Sequence, residues 1–222
     1  MLVRMSTRWS CILFDLDGTI LDSAPGITET LAYMFQTLDR PVPSHSELLR
    51  YVGPPILDSF RDLAGMTPEQ SQEALEVYRE RYLERGALES TVYPGIPLLL
   101  RQIHESPLPL SLATSKPELP ATKMLNLAGL TRYFDVIAGA SEDEVRSRKA
   151  DVVAESLKRL ESLGADVSNP VMVGDREHDV SGAAEHDIPT IFVSWGYGKP
   201  AESEGTIAVV HTTTELHSLL LE

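Results

Sequence analysis

Two aspartates at the end of the apolar run CILFDLDGTI (residues 11–20) are the residues best suited to chemistry. Asp15 and Asp17 are separated by one leucine, so both side chains point the same way while the chain stays extended. Two carboxylates this close raise each other's pKa unless a cation lies near them. A solvated strand end, a turn or a structural ion pair would also explain the pair, because aspartate is common where strands end.

A second acidic group repeats this arrangement further along the chain. The apolar run PVMVGD ends in Asp175, and Asp179 follows four residues later in GDREHD. Because the carboxyl ends of parallel strands lie at one edge of a sheet, we expect the two groups to meet there. Gathered carboxylates provide the oxygen ligands that Mg²⁺ prefers. The spacing therefore predicts a site for a hard cation such as Mg²⁺.

A third stretch, LPLSLATSKP, ends in groups that could bind an oxyanion. Thr114, Ser115 and Lys116 precede a predicted helix, where hydroxyls and backbone N–H groups suit a phosphate, although Thr-Ser is also an ordinary helix cap. Lys149 opens the helix ADVVAESLKRL, where its charge opposes the helix dipole. A lone lysine there is usually solvated, but an acidic metal site beside a phosphate anion needs a balancing positive charge.

These groups require a sheet that brings strand ends together, and the rest of the sequence predicts one. Short apolar runs alternate with helix-like segments, and the runs are near-continuous, which is typical of strands covered by helices on both faces. The predicted strands are SCILF, PLSLAT, FDVIAG, PVMVGD, PTIFVSW and IAVVH, and the predicted helices span 94–105, 118–128, 150–163, 179–186 and the chain from 214. The pattern predicts an α/β fold with an open, Rossmann-like parallel sheet sandwiched by helices.

Residues 23–90 break this alternation, because they contain no convincing strand. A cap residue, Ser23, and the early proline Pro25 predict a helix start, and the run TPEQ at 67–70 predicts another through a capping box. An insertion at the carboxyl end of the first strand lies where α/β sheets place their active sites. We therefore predict an α/β core formed by residues 1–22 and 91–222, with an all-helical cap at 23–90 that acts as a lid.

Composition and charge exclude several classes of function. The chain has 222 residues, a formal net charge of -14 at pH 7 and a pI of about 4.8, so its surface repels phosphate backbones and we expect no nucleic-acid partner. Cys11 is the single cysteine, so an internal disulfide is excluded. The N-terminal apolar run is too short for a signal peptide or a membrane span, and we expect a cytoplasmic protein without a membrane partner.

The motifs together resemble those of a known family. FDLDGT, ATS, Lys149 and GDREHD match, in order and approximate spacing, the four signature motifs of the haloacid dehalogenase-like superfamily. The resemblance spans essentially the whole chain, including a helical cap inserted after the first motif. The stretches TSKP, VMVGDREHDVSGA, SWGYG and YVGPP also resemble the branch of phosphoglycolate phosphatases and bacterial 5′-nucleotidases. This implies an enzyme that acts on a small phosphorylated metabolite.

The resemblance implies a role for each acidic residue. Asp15 would be the nucleophile that forms an aspartyl-phosphate, and Asp17 would be the general acid and then the general base. Family dehalogenases lack an acid at the position of Asp17, so its presence favours phosphate chemistry. Mg²⁺ would be bound by the Asp15 carboxylate, the Asp17 backbone carbonyl and Asp175. Asp179 would either bind the ion directly or contact one of its ligands.

The other motifs imply the residues that hold the phosphoryl oxygens. These would be Thr114, the Ser115 backbone and Lys149. The third motif is crowded, because SRSRKAD also contains Arg146 and Arg148. Lys149 is the better choice since it directly precedes an apolar helix, and Arg148 is the alternative.

Substrate-contacting residues outside these motifs are harder to choose from sequence. In the cap, Gly53 and Arg61, with the neighbouring Pro54 and Pro55, could bind substrate, although each could equally be an ordinary loop or surface residue. Two aromatic residues near a strand end, Trp195 and Tyr197, could flank the entrance, although such aromatics more often serve packing.

We therefore predict a Mg²⁺-dependent phosphatase that resembles phosphoglycolate phosphatases and is a monomer or weak homodimer. The alternatives of the same family are a 5′-nucleotidase and a phosphomutase, which shares every motif. A signalling receiver domain also clusters acids, a threonine and a lysine on an α/β sheet, but it is shorter and has another motif order. A non-catalytic binding protein on this fold is disfavoured because all four motifs are retained.

Overall fold

The computed structural model of the chain describes residues 8–222. The strands are β1 (Cys11–Phe14), β2 (Leu21–Asp22), β3 (Thr91–Val92), β4 (Leu110–Pro117), β5 (Val136–Ala140), β6 (Pro170–Gly174), β7 (Thr190–Val193) and β8 (Ala208–Val210). The helices are α1 (Ala24–Thr37), α2 (His45–Leu48), α3 (Ile56–Asp62), α4 (Pro68–Glu84), α5 (Ile96–His104), α6 (Glu118–Leu127), α7 (Lys149–Ser162), α8 (Glu177–Ala184) and α9 (Thr213–Leu221). Within this range, none of the helices combines the length and the apolar character needed to cross a bilayer.

In the described part of the chain, six strands form one parallel sheet in the order β5-β4-β1-β6-β7-β8. These are the six predicted strands, so the prediction of an α/β fold with a Rossmann-like parallel sheet is confirmed. β1 lies in the middle, where Ile12 and Phe14 pack into one apolar cluster while Cys11 and Leu13 pack into another. Because both of its faces are buried, this strand has a continuous apolar sequence instead of an alternating one.

The strand order places a crevice between β1 and β6. After β1 the chain forms β4 and β5 on one side, and it then crosses to the other side of β1 to form β6. In open α/β sheets, ligands bind at the carboxyl ends of the strands on either side of such a reversal. Asp15 directly follows β1 and Asp175 directly follows β6, so both acidic groups lie at this crevice.

Residues 23–90 contain the helices α1 to α4 and lie between β2 and β3. These two short strands pair antiparallel, Leu21 with Val92 and Asp22 with Thr91, and so join the two ends of the insertion. Sequence analysis did not predict the pair, because strands of two residues are too short to show a periodic pattern. α4 begins as predicted, with a capping box between Thr67 and Gln70.

Ser23 occupies the N-cap position of α1 as predicted, but its side chain does not cap the helix. α1 does begin at Ala24, with Pro25 in its first turn, but the Ser23 side chain makes no capping hydrogen bond. Its hydroxyl instead donates to the Asp17 carboxylate at 2.5 Å, because the chain turns back between these two residues.

A row of aromatic rings forms the interior of the insertion. Phe35, Tyr51, Phe60, Tyr78 and Tyr82 contact one another in sequence, with ring centroids 5.5 to 6.5 Å apart. Each such contact adds about 0.5–1.5 kcal/mol beyond the burial of area. The row belongs to the same apolar cluster as one face of the sheet, so the insertion is packed against the sheet.

Candidate active site

Three carboxylates converge at the crevice between β1 and β6. Asp15, Asp175 and Asp179 each offer a carboxylate oxygen, and these three atoms all lie within 4.8 Å of one another. All three side chains are almost completely buried, with at most 4% of the residue exposed. The structure therefore brings together acids from two separate stretches of the chain, at the place where the sequence pattern puts them.

Lys149 supplies a positive charge to this cluster. Its Nζ lies 2.6 Å from Asp15 Oδ1 and 2.8 Å from Asp179 Oδ1, and it donates to the Ala113 carbonyl at 2.9 Å. Lys149 begins α7 as predicted and is buried. The alternative, Arg148, lies on the surface and pairs with Glu185.

Burial controls the electrostatics of the cluster. It raises the pKa of Asp15 to about 6. Repulsion from Asp179 and Asp17 acts in the same direction, and the two effects together outweigh the lowering effect of Lys149. Burial also raises the pKa of Asp175 well above its usual range, with further contributions from Asp179 and Asp15. Burial opposes the charge of Lys149, but the two carboxylates it contacts raise its pKa above the usual value.

Asp17 has its own partners, which sequence analysis missed. Its Oδ2 lies 2.8 Å from the Nζ of Lys116, and both side chains are less than a tenth exposed. The same Nζ lies 4.6 Å from the centre of the Tyr82 ring, so the ammonium group bridges the acid and the aromatic row. Lys116 was predicted to belong with an oxyanion-binding group, and the structure places it against the proposed general acid.

The charges of this region do not balance. In their ionised forms, the four buried carboxylates of Asp15, Asp17, Asp175 and Asp179 carry two more negative charges than the ammonium groups of Lys116 and Lys149 balance. Uncompensated buried charge is strongly unfavourable. A divalent cation would cancel the excess, and carboxylate oxygens are ligands suited to Mg²⁺. The residues therefore fit the metal that the sequence predicts.

The Asp175 carboxylate is fixed from several sides. The Tyr197 N–H donates to its Oδ2 at 2.7 Å and the Thr19 hydroxyl donates to its Oδ1 at 3.2 Å. Gly18 passes so close that a Cβ on it would lie 2.3 Å from Asp175 Oδ2, and its φ of +84° favours glycine. The glycine of FDLDGT is thus required both by the turn and by the carboxylate beside it.

Two hydroxyls follow β4 at the same edge of the sheet. Thr114 Oγ1 accepts from the Lys116 N–H at 3.3 Å. Ser115 Oγ is buried and has no hydrogen-bond partner among residues 8–222. Because an unpaired buried hydroxyl is costly, Ser115 is suited to a ligand oxygen.

Tyr197 and Trp195 hold the turn that leads from the site into the insertion. The Tyr197 hydroxyl accepts from the N–H groups of Ser23 and Ala24 at 2.7 and 2.9 Å and donates to Asp22 at 2.7 Å. The Trp195 indole donates to the Thr19 carbonyl at 3.1 Å. Both aromatics therefore position the chain around Asp17, and Tyr197 also lines the cavity that reaches Lys149.

Two cavities separate the insertion from the sheet. The first, of about 260 Å³, is lined by Asp17, Ser115, Gly53 and Pro54 among others. The second, of about 700 Å³, reaches Lys149 and also contains Pro54. Gly53 thus lines the cavity that contains Asp17, and Pro54 lines both cavities.

That Arg61 binds substrate stays a prediction. Its guanidinium is 62% exposed and is held by its own neighbours, at 2.8 Å from Asp58 and 2.7 Å from Asp62. Asp58 and Asp62 both line the second cavity, so the charge of Arg61 lies beside this cavity but is already paired.

Two arginines that sequence analysis missed connect the insertion to the core. The Arg176 guanidinium, one residue after Asp175, donates to the Val52 carbonyl of the insertion. In the other direction, Arg79 of α4 donates to Glu144 Oε1 at 2.6 Å and to the Glu142 carbonyl at 2.9 Å. No local pattern marks these arginines, because their partners are more than 60 residues away.

Buried carboxylates, a buried lysine and strand-end hydroxyls at the switch point of a parallel sheet, under a helical insertion, define an α/β enzyme that handles phosphoryl groups. Residues 12–193 match the family model described as haloacid dehalogenase-like hydrolase, and the chain belongs to this family. The family resemblance of the motifs is thereby confirmed. Within the family, the chain is a phosphatase, a phosphoric monoester hydrolase.

Similar proteins carry different functional names. The chain is 39% identical over 205 residues to the tyrosine-protein kinase PtkA of Mycobacterium tuberculosis, covering 91% of this chain and 69% of that protein. It is 34% identical over 195 residues to a 5′-nucleotidase of Pseudomonas aeruginosa, covering 88% and 87%. A solved structure described as a predicted phosphatase from Clostridium acetobutylicum superposes with a TM-score of 0.90 at 37% identity, covering 96% of this chain and 98% of that one.

Proposed function

We propose that the protein is a Mg²⁺-dependent phosphatase that hydrolyses a small phosphomonoester through an aspartyl-phosphate on Asp15. The observation that carries this proposal is the buried cluster of Asp15, Asp175 and Asp179 with Lys149 2.6 Å from Asp15. The ammonium group orients Asp15 and also draws phosphoryl oxygens toward it. One Asp15 oxygen attacks phosphorus in line with the leaving oxygen, forming the acyl-phosphate as the ester bond breaks.

Asp17 transfers the protons in both steps. It donates one to the leaving oxygen and later removes one from the water that attacks the acyl-phosphate. Lys116 and the Ser23 hydroxyl hold one carboxylate oxygen each, which fixes the direction of the acid. Lys149 and the hydroxyls of Thr114 and Ser115 are the proposed donors to the phosphoryl oxygens.

The proposed ligands of Mg²⁺ are Asp15, the Asp17 backbone carbonyl and Asp175, with Asp179 near the ion. The support is the all-oxygen donor set and the two unbalanced negative charges of the site. When bound, the ion supplies charge neutralisation for the phosphoryl oxygens, which would otherwise be repelled by the carboxylates.

Residues 23–90 are the proposed cap. They line the first cavity together with Asp17 and Ser115, and their two ends are joined by the β2–β3 pair. A cap excludes water from the acyl-phosphate and provides contacts to the leaving group. We further propose a cytoplasmic location, on the basis of the one buried free cysteine, and a monomer or weak homodimer.

The test is phosphate release from a panel of phosphomonoesters with and without Mg²⁺. Asp15→Asn is expected to lower kcat by at least about a thousandfold, because the amide is a poor nucleophile. Asp39→Asn is the matched control, since Asp39 is exposed and the chemical change is the same. Full turnover by Asp15→Asn, or by wild type after removal of divalent ions, would contradict the proposal.

A second measurement separates hydrolysis from the alternatives. Acid-quenched enzyme is digested, and mass spectrometry locates phosphate after turnover of a phosphomonoester or incubation with ATP. Hydroxylamine cleaves an acyl-phosphate on Asp15 but leaves a tyrosine phosphate intact. The treatment therefore distinguishes the proposed intermediate from phosphate on a tyrosine, the residue named in the description of the mycobacterial relative. Isomerisation of a hexose phosphate without phosphate release would instead identify a phosphomutase.

A further inference from the structure

The first cavity, of about 260 Å³, is the space into which a leaving group would project. This step rests on the proposed function, in which Asp17 protonates the leaving oxygen. Asp17 lines this cavity, whereas Lys149 lines the second and larger one. Since the acid must contact the leaving oxygen, the rest of the leaving group lies on the same side.

The walls of this cavity are mainly aromatic and aliphatic. They are formed from the cap by Ile27, Tyr51, Ile56, Leu75, Tyr78 and Tyr82. The rings of Tyr78 and Tyr82 are nearly parallel, with centroids 5.5 Å apart and an interplanar angle of 10°. Such walls favour a flat apolar group, because burial of its area is the main contribution to its binding.

The charges of the same cavity disfavour a second anionic group. Its two basic residues among the described lining residues, Lys116 and Arg79, are already paired with Asp17 at 2.8 Å and Glu144 at 2.6 Å. Glu142 is a third lining acid, so three carboxylates face two cations. A carboxylate on the leaving group would displace one of these ion pairs and would meet a net negative charge.

We propose that the enzyme selects phosphomonoesters whose leaving group is uncharged and carries an aromatic ring, and discriminates against 2-phosphoglycolate. The phosphoryl group is held at the acidic cluster, and the ring occupies the cavity between Tyr51, Tyr78 and Tyr82. A nucleoside and a simple aromatic alcohol both have this chemistry, and the experiment distinguishes them.

The test compares kcat/KM for benzyl phosphate, 4-carboxybenzyl phosphate, 2-phosphoglycolate and adenosine 5′-monophosphate in the presence of Mg²⁺. All four are esters of alkyl alcohols, so binding rather than intrinsic reactivity dominates the comparison. Benzyl phosphate is expected to exceed both carboxylated substrates by at least about tenfold, the discrimination typical of one buried contact. A smaller ratio, or a preference for either carboxylated substrate, would overturn the proposal.

The nucleotide arm separates the two sources of the ring. A higher kcat/KM for adenosine 5′-monophosphate than for benzyl phosphate assigns the ring to a nucleoside, and the reverse order assigns it to a smaller alcohol. Either order supports the proposal if 2-phosphoglycolate remains the poorer substrate.

Two adjacent residues of α3 provide matched variants. Ile56 and Leu57 are both partly buried, but Ile56 lines the cavity and Leu57 does not. Ile56→Ala is expected to lower kcat/KM for benzyl phosphate about tenfold and to change kcat/KM for 2-phosphoglycolate less than twofold. Leu57→Ala is expected to leave kcat/KM for both substrates unchanged. Equal losses on both substrates in Ile56→Ala would argue against a ring in this cavity.

A third variant changes the charge rather than the shape. Glu144→Gln removes the carboxylate partner of Arg79. It is expected to raise kcat/KM for 2-phosphoglycolate relative to that for benzyl phosphate, because the Arg79 guanidinium becomes available to pair with the substrate carboxylate. An unchanged ratio would refute the role assigned to the paired charges.

Failure of this inference can be told apart from failure of the proposed function. If wild type hydrolyses any of the four probes and Asp15→Asn does not, the proposed function stands whatever the preference. If wild type hydrolyses none of the four but releases phosphate from another member of the panel, only the selectivity is overturned; if it releases phosphate from no member of the panel, both are overturned.

Discussion

Removal of the Lys149 charge tests the electrostatic account of the site most directly. Lys149→Met keeps an unbranched apolar stem of similar length but removes the ammonium group that contacts Asp15 at 2.6 Å and Asp179 at 2.8 Å. The two carboxylates then stay buried with no cation in contact with them. Because Asp15, Asp175 and Asp179 lie within 4.8 Å of one another, their mutual repulsion is no longer offset.

The expected loss of stability follows from this geometry. Breaking a buried ion pair by removing one partner costs about 3–5 kcal/mol, and Lys149 contacts two carboxylates, so the upper part of this range is expected without metal. Mg²⁺ opposes the loss, because the variant site has one more unbalanced negative charge and binds the cation more tightly. At a Mg²⁺ concentration a hundredfold above the Kd, the ion alone contributes about 2.7 kcal/mol.

The assay is urea denaturation of wild type and variant, with a chelator and with Mg²⁺, followed by the free energy of unfolding. Arg148→Met is the matched control, since this neighbour is exposed and its pair with Glu185 is expected to contribute less than about 1 kcal/mol. A loss below about 1 kcal/mol in Lys149→Met without metal, or a loss that Mg²⁺ does not reduce, would refute the reasoning. Asp15→Asn combined with Lys149→Met should lose less than the two single changes added, because the two groups interact directly.

Three further predictions concern the surroundings of the site. Gly18→Ala should abolish Mg²⁺-dependent phosphate release because its Cβ would lie 2.3 Å from Asp175, whereas Gly65→Ala, at φ +62° in open space, should cost only about 1 kcal/mol of stability. Tyr197→Phe should lower thermal stability by a few degrees through loss of its hydroxyl contacts at the start of the cap, read by calorimetry, while its backbone contact to Asp175 remains. Burial raises the pKa of the Cys11 thiol to about 11, so native protein at neutral pH should resist a thiol reagent that modifies it readily in urea; fast native modification would contradict this burial.

Much of the fold could be predicted because burial leaves a direct pattern in the sequence. β1 is apolar at every position since its two faces pack into two clusters, and the other core strands read similarly. The β2–β3 pair left no such pattern, because each strand contributes only two residues to it. Length distinguishes the core strands from this pair, because a periodic pattern needs several residues and a two-residue strand cannot show one.

Some features of the candidate site could likewise be predicted from the sequence, and others could not. Asp15 and Asp175 are marked by their position at the end of a buried strand, and the fold itself then brings such ends to one edge. The pairing of Arg61 with Asp58 and Asp62 could not be predicted, because a charge on a helix has several acids within reach and the sequence does not show which it contacts. The position of Ser23 at the start of α1 could be predicted, but only the three-dimensional turn shows that its hydroxyl contacts an acid instead of the helix backbone.

The partner of Asp17 could have been anticipated by the argument that selected Lys149. A buried carboxylate requires a compensating cation, and Lys149 was chosen because the acidic cluster needed one. The same requirement applies to Asp17, which is 6% exposed, and Lys116 lies in the strand-end segment that faces it. Counting carboxylates against cations at a predicted strand edge therefore identifies both lysines and still leaves two negative charges, the charge of one divalent ion. This balance, rather than any single motif, is why the metal and the two lysines have to be considered as one site.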